Sequence, residues 1–269
     1  MIADNPLGLA LYLLAGALAG ILSGLFGVGG GLIIVPILSL VFTSMAFPEQ
    51  HVMHMALGTS LATIIFTSIS SARAHHHKAN VNWPVVHRIA AGIVLGTLLG
   101  SLLTASLQTV WLKAIFAVFV FIIATQLILN ISPNPKRKLP GLPGMTLSGA
   151  FIGIVSSLVG IGGGSLSVPF LIYCNIAVKK AIGTSAAIGL PIAVSGTLGF
   201  MLNGWNAPQL PPHSLGYIYI PAVIGIALMS ALTAPLGARI SQRLPAITLK
   251  RAFAALLYLV GFKMLWGMF

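Results

Sequence analysis

Two stretches of this chain repeat one another at a fixed distance. Residues 16–36 read GALAGILSGLFGVGGGLIIVP and residues 149–169 read GAFIGIVSSLVGIGGGSLSVP. Gly27 and Gly160, the triplets Gly29-Gly30-Gly31 and Gly162-Gly163-Gly164, and Pro36 and Pro169 all fall at an offset of 133. A second echo, Leu57-Gly58-Thr59-Ser60 against Ile182-Gly183-Thr184-Ser185, falls at an offset of 125. Two apolar halves that each break at a glycine-rich loop match a pattern of secondary transporters, in which broken helices meet near mid-membrane. The repeat therefore places candidate function at the interface of the halves.

Composition names the solvent. Hydrophobic residues make up 57 % of the chain and charged residues 6 %, against ~25 % charged in a soluble domain. Such a chain cannot cover itself with a water-compatible surface. Apolar stretches run at roughly 7–26, 32–47, 52–72, 85–107, 110–130, 145–161, 165–178, 181–203, 214–237 and 247–268. Most reach the ~20 residues that cross ~30 Å of hydrocarbon. The stretches after the glycine loops are shorter, and read either as tilted crossings or as re-entrant half-helices. The first run, after MIADNP, lacks a basic leader and a cleavage site and reads as a span. The expected fold is all-α and polytopic, with broken helices at the glycine loops. Its halves are 1–135 and 145–269, joined by a cytoplasmic linker at 136–144 where prolines and Lys136-Arg137-Lys138 exclude a continuing helix.

Positive charge chooses between two arrangements of the halves. If each half crosses four times, the halves are parallel and the basic residues divide 7 against 7. If each crosses five times, the halves are inverted. Arg73, Lys78, Arg88, Lys136, Arg137, Lys138, Lys179, Lys180, Arg239, Arg243, Lys250 and Arg251 then lie inside, 12 against Lys113 and Lys263 outside. The acidic pair, Asp4 and Glu49, falls outside as well. The charge bias selects two inverted repeats of about five segments, with both termini outside an inner (plasma) membrane.

Several functions are disfavoured. No basic patch interleaved with aromatics supports nucleic-acid binding. A single cysteine, Cys174, excludes an intrachain disulfide and a multi-cysteine metal site. His75-His76-His77 reads as a basic surface loop, and no metal site or cofactor is expected. No Asp or Glu lies within a span, so the carboxylate relays of cation pumps are missing. Nor does any span carry a nucleophile with a base and carboxylate, so catalysis is not expected.

What remains is chemistry for an anion. A helix that starts at a glycine triplet presents free N–H groups and the positive end of its dipole. Gly29, Gly30, Gly31, Gly162, Gly163 and Gly164 are the candidate backbone donors. Ser23 and Ser156, Thr59 and Thr184, and Ser60 and Ser185 are paired hydroxyls near the breaks and candidate side-chain donors. Ser165 and Ser167 flank the second break but correspond to Leu32 and Ile34 at the first, so any site is asymmetric. His54 and Arg73, at opposite ends of one span, are candidates for coupling or gating. Isolated glycines such as Gly92, Gly96 and Gly100 read as packing residues.

At these residues the chain resembles the TauE/SafE family of sulfite-exporter and sulfonate-permease-like membrane proteins. The likeness rests on GLFGVGGGLIIVP (24–36), LVGIGGGSLSVP (158–169) and the two Gly-Thr-Ser segments. Lys78-Ala79-Asn80-Val81-Asn82-Trp83 is similar to a family pattern that commonly carries an acidic residue where this chain has Asn82. Ala234-Pro235-Leu236-Gly237-Ala238-Arg239 is similar to a late family segment. The resemblance implies transport of a small sulfur-containing anion such as sulfite or an organosulfonate, by alternating access around the paired loops. Export is the expected direction, since an inside-negative potential drives an anion outward. An anion channel of the same fold and a non-transporting membrane binding or assembly protein remain the alternatives.

Overall fold

The computed structural model describes residues 6–26, 30–129, 137–241 and 246–266. Its helices are α1 (Pro6–Phe26), α2 (Gly31–Ser44), α3 (Glu49–His77), α4 (Trp83–Ser106), α5 (Thr109–Ile128), α6 (Leu142–Val159), α7 (Gly164–Tyr173), α8 (Val178–Asn203), α9 (Ile220–Ser241) and α10 (Ala246–Trp266). Strands β1 (Ser214–Leu215) and β2 (Ile218–Tyr219) form one antiparallel pair before α9. Helices α3, α4, α5, α6 and α8 are long and apolar enough to cross a membrane. Two expectations shift. Helix α6 begins at Leu142, inside the expected linker, and the three histidines form the last turn of α3 instead of a loop.

Glycine stripes set the tightest helix pairs. Gly92, Gly96 and Gly100 of α4 lie on Thr146, Ala150 and Ile154 of α6; a Cβ on Gly100 would sit 2.8 Å from the Ile154 carbonyl oxygen. Gly16 and Gly20 of α1 lie in the same way on Ile226 and Ser230 of α9. In both pairs the contacts advance together along the two chains, so the helices run parallel. Helices α3 and α8 pack against one another at the centre, and α5 packs on α10. Small residues let backbones approach, which is the main route to tight association where lipid removes the hydrophobic drive between helices.

Helices α1 and α2 form one hairpin, and α6 and α7 another. In the first, α1 and α2 return to one end of the bundle, where the Tyr12 hydroxyl donates to Met45 Sδ at 2.9 Å. Helix α3 starts there at Glu49. The second hairpin, α6 and α7, has its base at the linker end, where the Arg137 N–H donates to the Tyr173 carbonyl at 3.3 Å. Helix α6 runs parallel to α4, which itself starts at the linker end beside the close of α3. The two hairpins therefore enter from opposite ends. Arg73, Lys78, Arg88, Arg137, Lys138, Lys179, Lys180, Lys250 and Arg251 sit at or toward the linker end, and Glu49, Lys113 and Lys263 toward the other.

Candidate functional site

The start of α2 and the close of α6 meet inside the bundle. A Cβ on Gly31, the first residue of α2, would lie 2.6 Å from the Gly160 carbonyl oxygen and 3.0 Å from Ile161 Cα. Gly30, Gly160 and Gly163 have φ of 63°, 69° and 75°, the left-handed region that glycine occupies without a Cβ clash. Gly160 closes α6, and Gly30 and Gly163 start α2 and α7. The first N–H groups of α2 and α7 have no partner within their own helices. Gly31, Gly162 and Gly163 are buried and Gly164 is partly buried. Gly29 and the side chain of Ser23 lie outside the described residues.

The four hydroxyls of the Gly-Thr-Ser segments have protein partners. Ser60 donates to the Gly160 carbonyl at 2.8 Å. Ser167 donates to the Gly163 carbonyl at 2.8 Å, so its 2.6 Å contact with Ser185 has Ser185 as donor. Ser60 and Ser167 thus fasten the Gly160 and Gly163 carbonyls, and Ser185 braces Ser167. The threonines fasten something else. Thr184 accepts the Asn82 N–H at 2.9 Å, and Thr59 accepts the Tyr219 N–H at 3.0 Å. Gly183 lets the Asn80 carbonyl approach, and a Cβ on Gly58 would lie 2.7 Å from the Tyr217 carbonyl. Each Gly-Thr pair therefore clasps an extended segment that leads into a Pro-started helix, α4 at one end and α9 at the other.

Ser156 is different. It is fully buried, its Oγ has no hydrogen-bond partner, and that atom lies 3.7 Å from where a Cβ on Gly163 would stand. Five more buried hydroxyl oxygens share this state: Thr97 of α4, Ser157 of α6, Ser165 on the first turn of α7, Thr197 of α8 and Ser214 of β1. Thr97 faces α6, its Oγ1 2.8 Å from a Cβ built on Gly153. An unpaired hydroxyl in a low-dielectric interior costs ~1–3 kcal/mol, so Ser156, beside the start of α7, is a candidate donor to a polar guest. Thr97 is not among the hydroxyls singled out from the sequence, because it sits within a glycine stripe that reads as packing alone. Among the described residues no Lys, Arg, Asp or Glu is buried, so a guest meets dipoles and hydroxyls instead of fixed charge.

His54 and Arg73 are not at the breaks. His54 donates from Nε2 to the Thr104 carbonyl at 3.0 Å, which leaves Nδ1 buried without a partner. Its ring lies 5.0 Å from that of Tyr217 and 6.3 Å from that of His51. This clip joins α3 to the end of α4 under the loop before α9. Burial in that loop pushes the Tyr217 phenol above its ordinary value, so it stays neutral. Arg73 is exposed near the linker end of α3.

With this geometry in place, likeness to known proteins becomes decisive. The sequence model of the family described as "Sulfite exporter TauE/SafE" matches residues 12–264. The chain belongs to the TauE/SafE family. A relative from Haemophilus influenzae, named "Probable membrane transporter protein", is 43 % identical over 94 % of this chain and 97 % of its own. One from Methanocaldococcus jannaschii, "Probable membrane transporter protein MJ0441", is 28 % identical over 96 % and 95 %. The Bacillus subtilis "Probable membrane transporter protein YdhB" is 25 % identical over 90 % and 94 %. No solved structure matches. As a TauE/SafE member with five membrane-capable helices among those described, the chain is a multi-pass membrane transporter.

Proposed function

We propose that this TauE/SafE protein exports a small sulfur-containing oxyanion, sulfite or an organosulfonate, from a site at the second helix break. The anion sits at the start of α7, held by N–H groups of Gly163 and Gly164 and by the Ser156 hydroxyl, with Ser165 on the same first turn. The observation that carries this reading is the Ser156 oxygen, buried and unpaired beside a helix N-terminus, where negative charge is favoured. Ser60 and Ser185 hold the loop in shape, and Thr59 and Thr184 hold the segments that flank it.

The halves act as inverted repeats. The parallel glycine pairs α1–α9 and α6–α4, the central α3–α8 pair and the opposed hairpins support this arrangement. The basic linker end faces the cytoplasm by the positive-inside rule, which places Pro6 and Trp266 on the outer side of an inner membrane. Outward movement of an anion gains ~2.3 kcal/mol per charge for each 100 mV of inside-negative potential. Export therefore needs no carboxylate relay.

Solid-supported membrane currents from proteoliposomes test this across sulfite, sulfate, sulfoacetate, taurine and lactate. Saturable currents with sulfite or a sulfonate, absent with lactate, are expected. A flux that stays linear in concentration turns the reading into a channel, and ligand binding without flux turns it into a binding protein.

A further inference from the structure

One buried titratable group has no part in the anion site. His54 of α3 is 4 % exposed, at the end of the bundle away from the linker. Its Nε2 donates to the Thr104 carbonyl at 3.0 Å, so in the neutral ring Nδ1 keeps a lone pair, and no donor meets that atom.

A second proton on Nδ1 makes the ring a cation, and nothing is placed to balance it. Among the described residues no Asp or Glu is buried, and Glu49, on the first turn of the same helix, is exposed. The His51 ring lies 6.3 Å away and the Tyr217 ring 5.0 Å away. Of the elements packed against α3, β2 brings Tyr219 and α5 brings Lys113, while α2 and α6 bring no titratable group. Those of α4, α8 and α9 lie toward the linker end. The carbonyls of Gln50 and Leu107 face the ring, but they are dipoles and not counter-ions. A buried charge without a counter-ion costs more than a buried nitrogen without a donor. His54 is therefore neutral as long as it stays covered.

What covers it is the segment 204–219, between α8 and α9. Four consecutive fastenings hold this segment to α3. The Pro208 carbonyl faces His51, the Tyr217 ring lies on those of His51 and His54, the Tyr217 carbonyl packs on Gly58, and Thr59 accepts the Tyr219 N–H. The next residue, Ser60, holds the Gly160 carbonyl at the close of α6. One helix thus joins the outer segment to the second break.

We infer that segment 204–219 is an outer lid latched by His54: lifting Tyr217 wets the ring, which takes a proton from the outer solution, and the lid closes again only once that proton has left. Acid on the outer face holds this end of the transporter open. The latch is independent of what the transporter carries.

The test is amide hydrogen exchange of the full-length protein in nanodiscs between pH 8 and pH 5, read at Tyr217 and Tyr219 as protection factors, which divide out the intrinsic pH dependence of exchange. With an ordinary imidazole value of ~6.5 in the open state and no proton taken up in the closed one, protection falls about 30-fold over this range. Protection along α4 stays constant. In His54→Gln, whose amide can still donate to the Thr104 carbonyl, protection at the lid is the same at every pH. Where that variant does not fold, His51→Gln/His213→Gln leaves His54 as the one histidine at the outer end, and the 30-fold fall persists. A flat wild-type profile overturns the latch. A fall that survives in His54→Gln, or vanishes in the double variant, belongs to another group and overturns it equally. An equal fall along α4 reports acid unfolding of the whole bundle, and no lid.

Discussion

Ser60→Ala and Ser156→Ala delete the same atom from two fully buried positions, and the surroundings give the deletions opposite signs. The Ser60 hydroxyl donates to the Gly160 carbonyl at 2.8 Å. Its loss strips a partner from the carbonyl that closes α6, in an interior where water cannot replace it. The cost of an unsatisfied buried acceptor is about 1–3 kcal/mol of stability. The Ser156 oxygen has no partner to lose. Removing it relieves a desolvation cost of about 1–3 kcal/mol, offset in part by the small void. Ser156→Ala therefore melts at or above the wild-type temperature in detergent, and Ser60→Ala melts below it. Anion binding goes the other way for Ser156. A hydrogen bond to a charged group contributes about 1.5–3 kcal/mol, so methanesulfonate affinity falls roughly 10- to 150-fold. Paired melting curves and calorimetric titrations of the two variants check both signs. If Ser156→Ala destabilises as much as Ser60→Ala, or leaves anion affinity unmoved, the hydroxyl is structural and the site is wrongly placed.

Three further outcomes follow from contacts. Gly31→Ala places a methyl 2.6 Å from the Gly160 oxygen, backbone against backbone, so it costs about 1–3 kcal/mol by overpacking; Gly141→Ala, whose nearest neighbour is 3.9 Å away, melts as wild type. Thr184→Val and Thr59→Val leave the Asn82 and Tyr219 N–H groups without acceptors, and each speeds hydrogen exchange at its own clasped segment without touching the other. Single cysteines at Glu49 and Lys179 react with an impermeant maleimide from opposite faces, and labelling of both from one face refutes the inverted arrangement.

Glycine leaves a specific mark in a sequence. Only a residue without a Cβ takes the left-handed backbone at Gly30, Gly160 and Gly163 freely, and only small residues let α4 meet α6 along Gly92, Gly96 and Gly100. Hydroxyls carry no such mark. Ser60, Thr184 and Ser156 read alike along the chain, yet Ser60 meets a carbonyl 100 residues away, Thr184 an N–H 102 residues away, and Ser156 nothing. Which of them faces a guest is decided by tertiary neighbours that no local pattern encodes. His54 likewise becomes a helix clip only because Thr104, 50 residues on, ends α4 beside it. One signal was present and unread. Pro84 and Pro221, at an offset of 137, mark the two helix starts that the Gly-Thr pairs clasp.

The scarcity of charge in the interior sets what kind of anion such a site prefers. A helix start acts as roughly half a positive charge. At ~5 Å and an effective dielectric constant of ~20 it attracts a monovalent anion by about 1.7 kcal/mol. Doubling the anion's charge doubles that attraction, but the cost of removing the ion from water grows as the square of the charge. With no Lys or Arg buried among the described residues to make up the difference, the second charge is a net penalty. The site therefore prefers a monoanion such as a sulfonate or bisulfite over sulfate, and apparent affinity for sulfite falls as pH rises through its second ionisation. A titration of methanesulfonate, sulfate and sulfite at several pH values reads this directly. Sulfate bound as tightly as methanesulfonate requires a fixed cation at the site, and refutes an anion held by dipoles and hydroxyls alone.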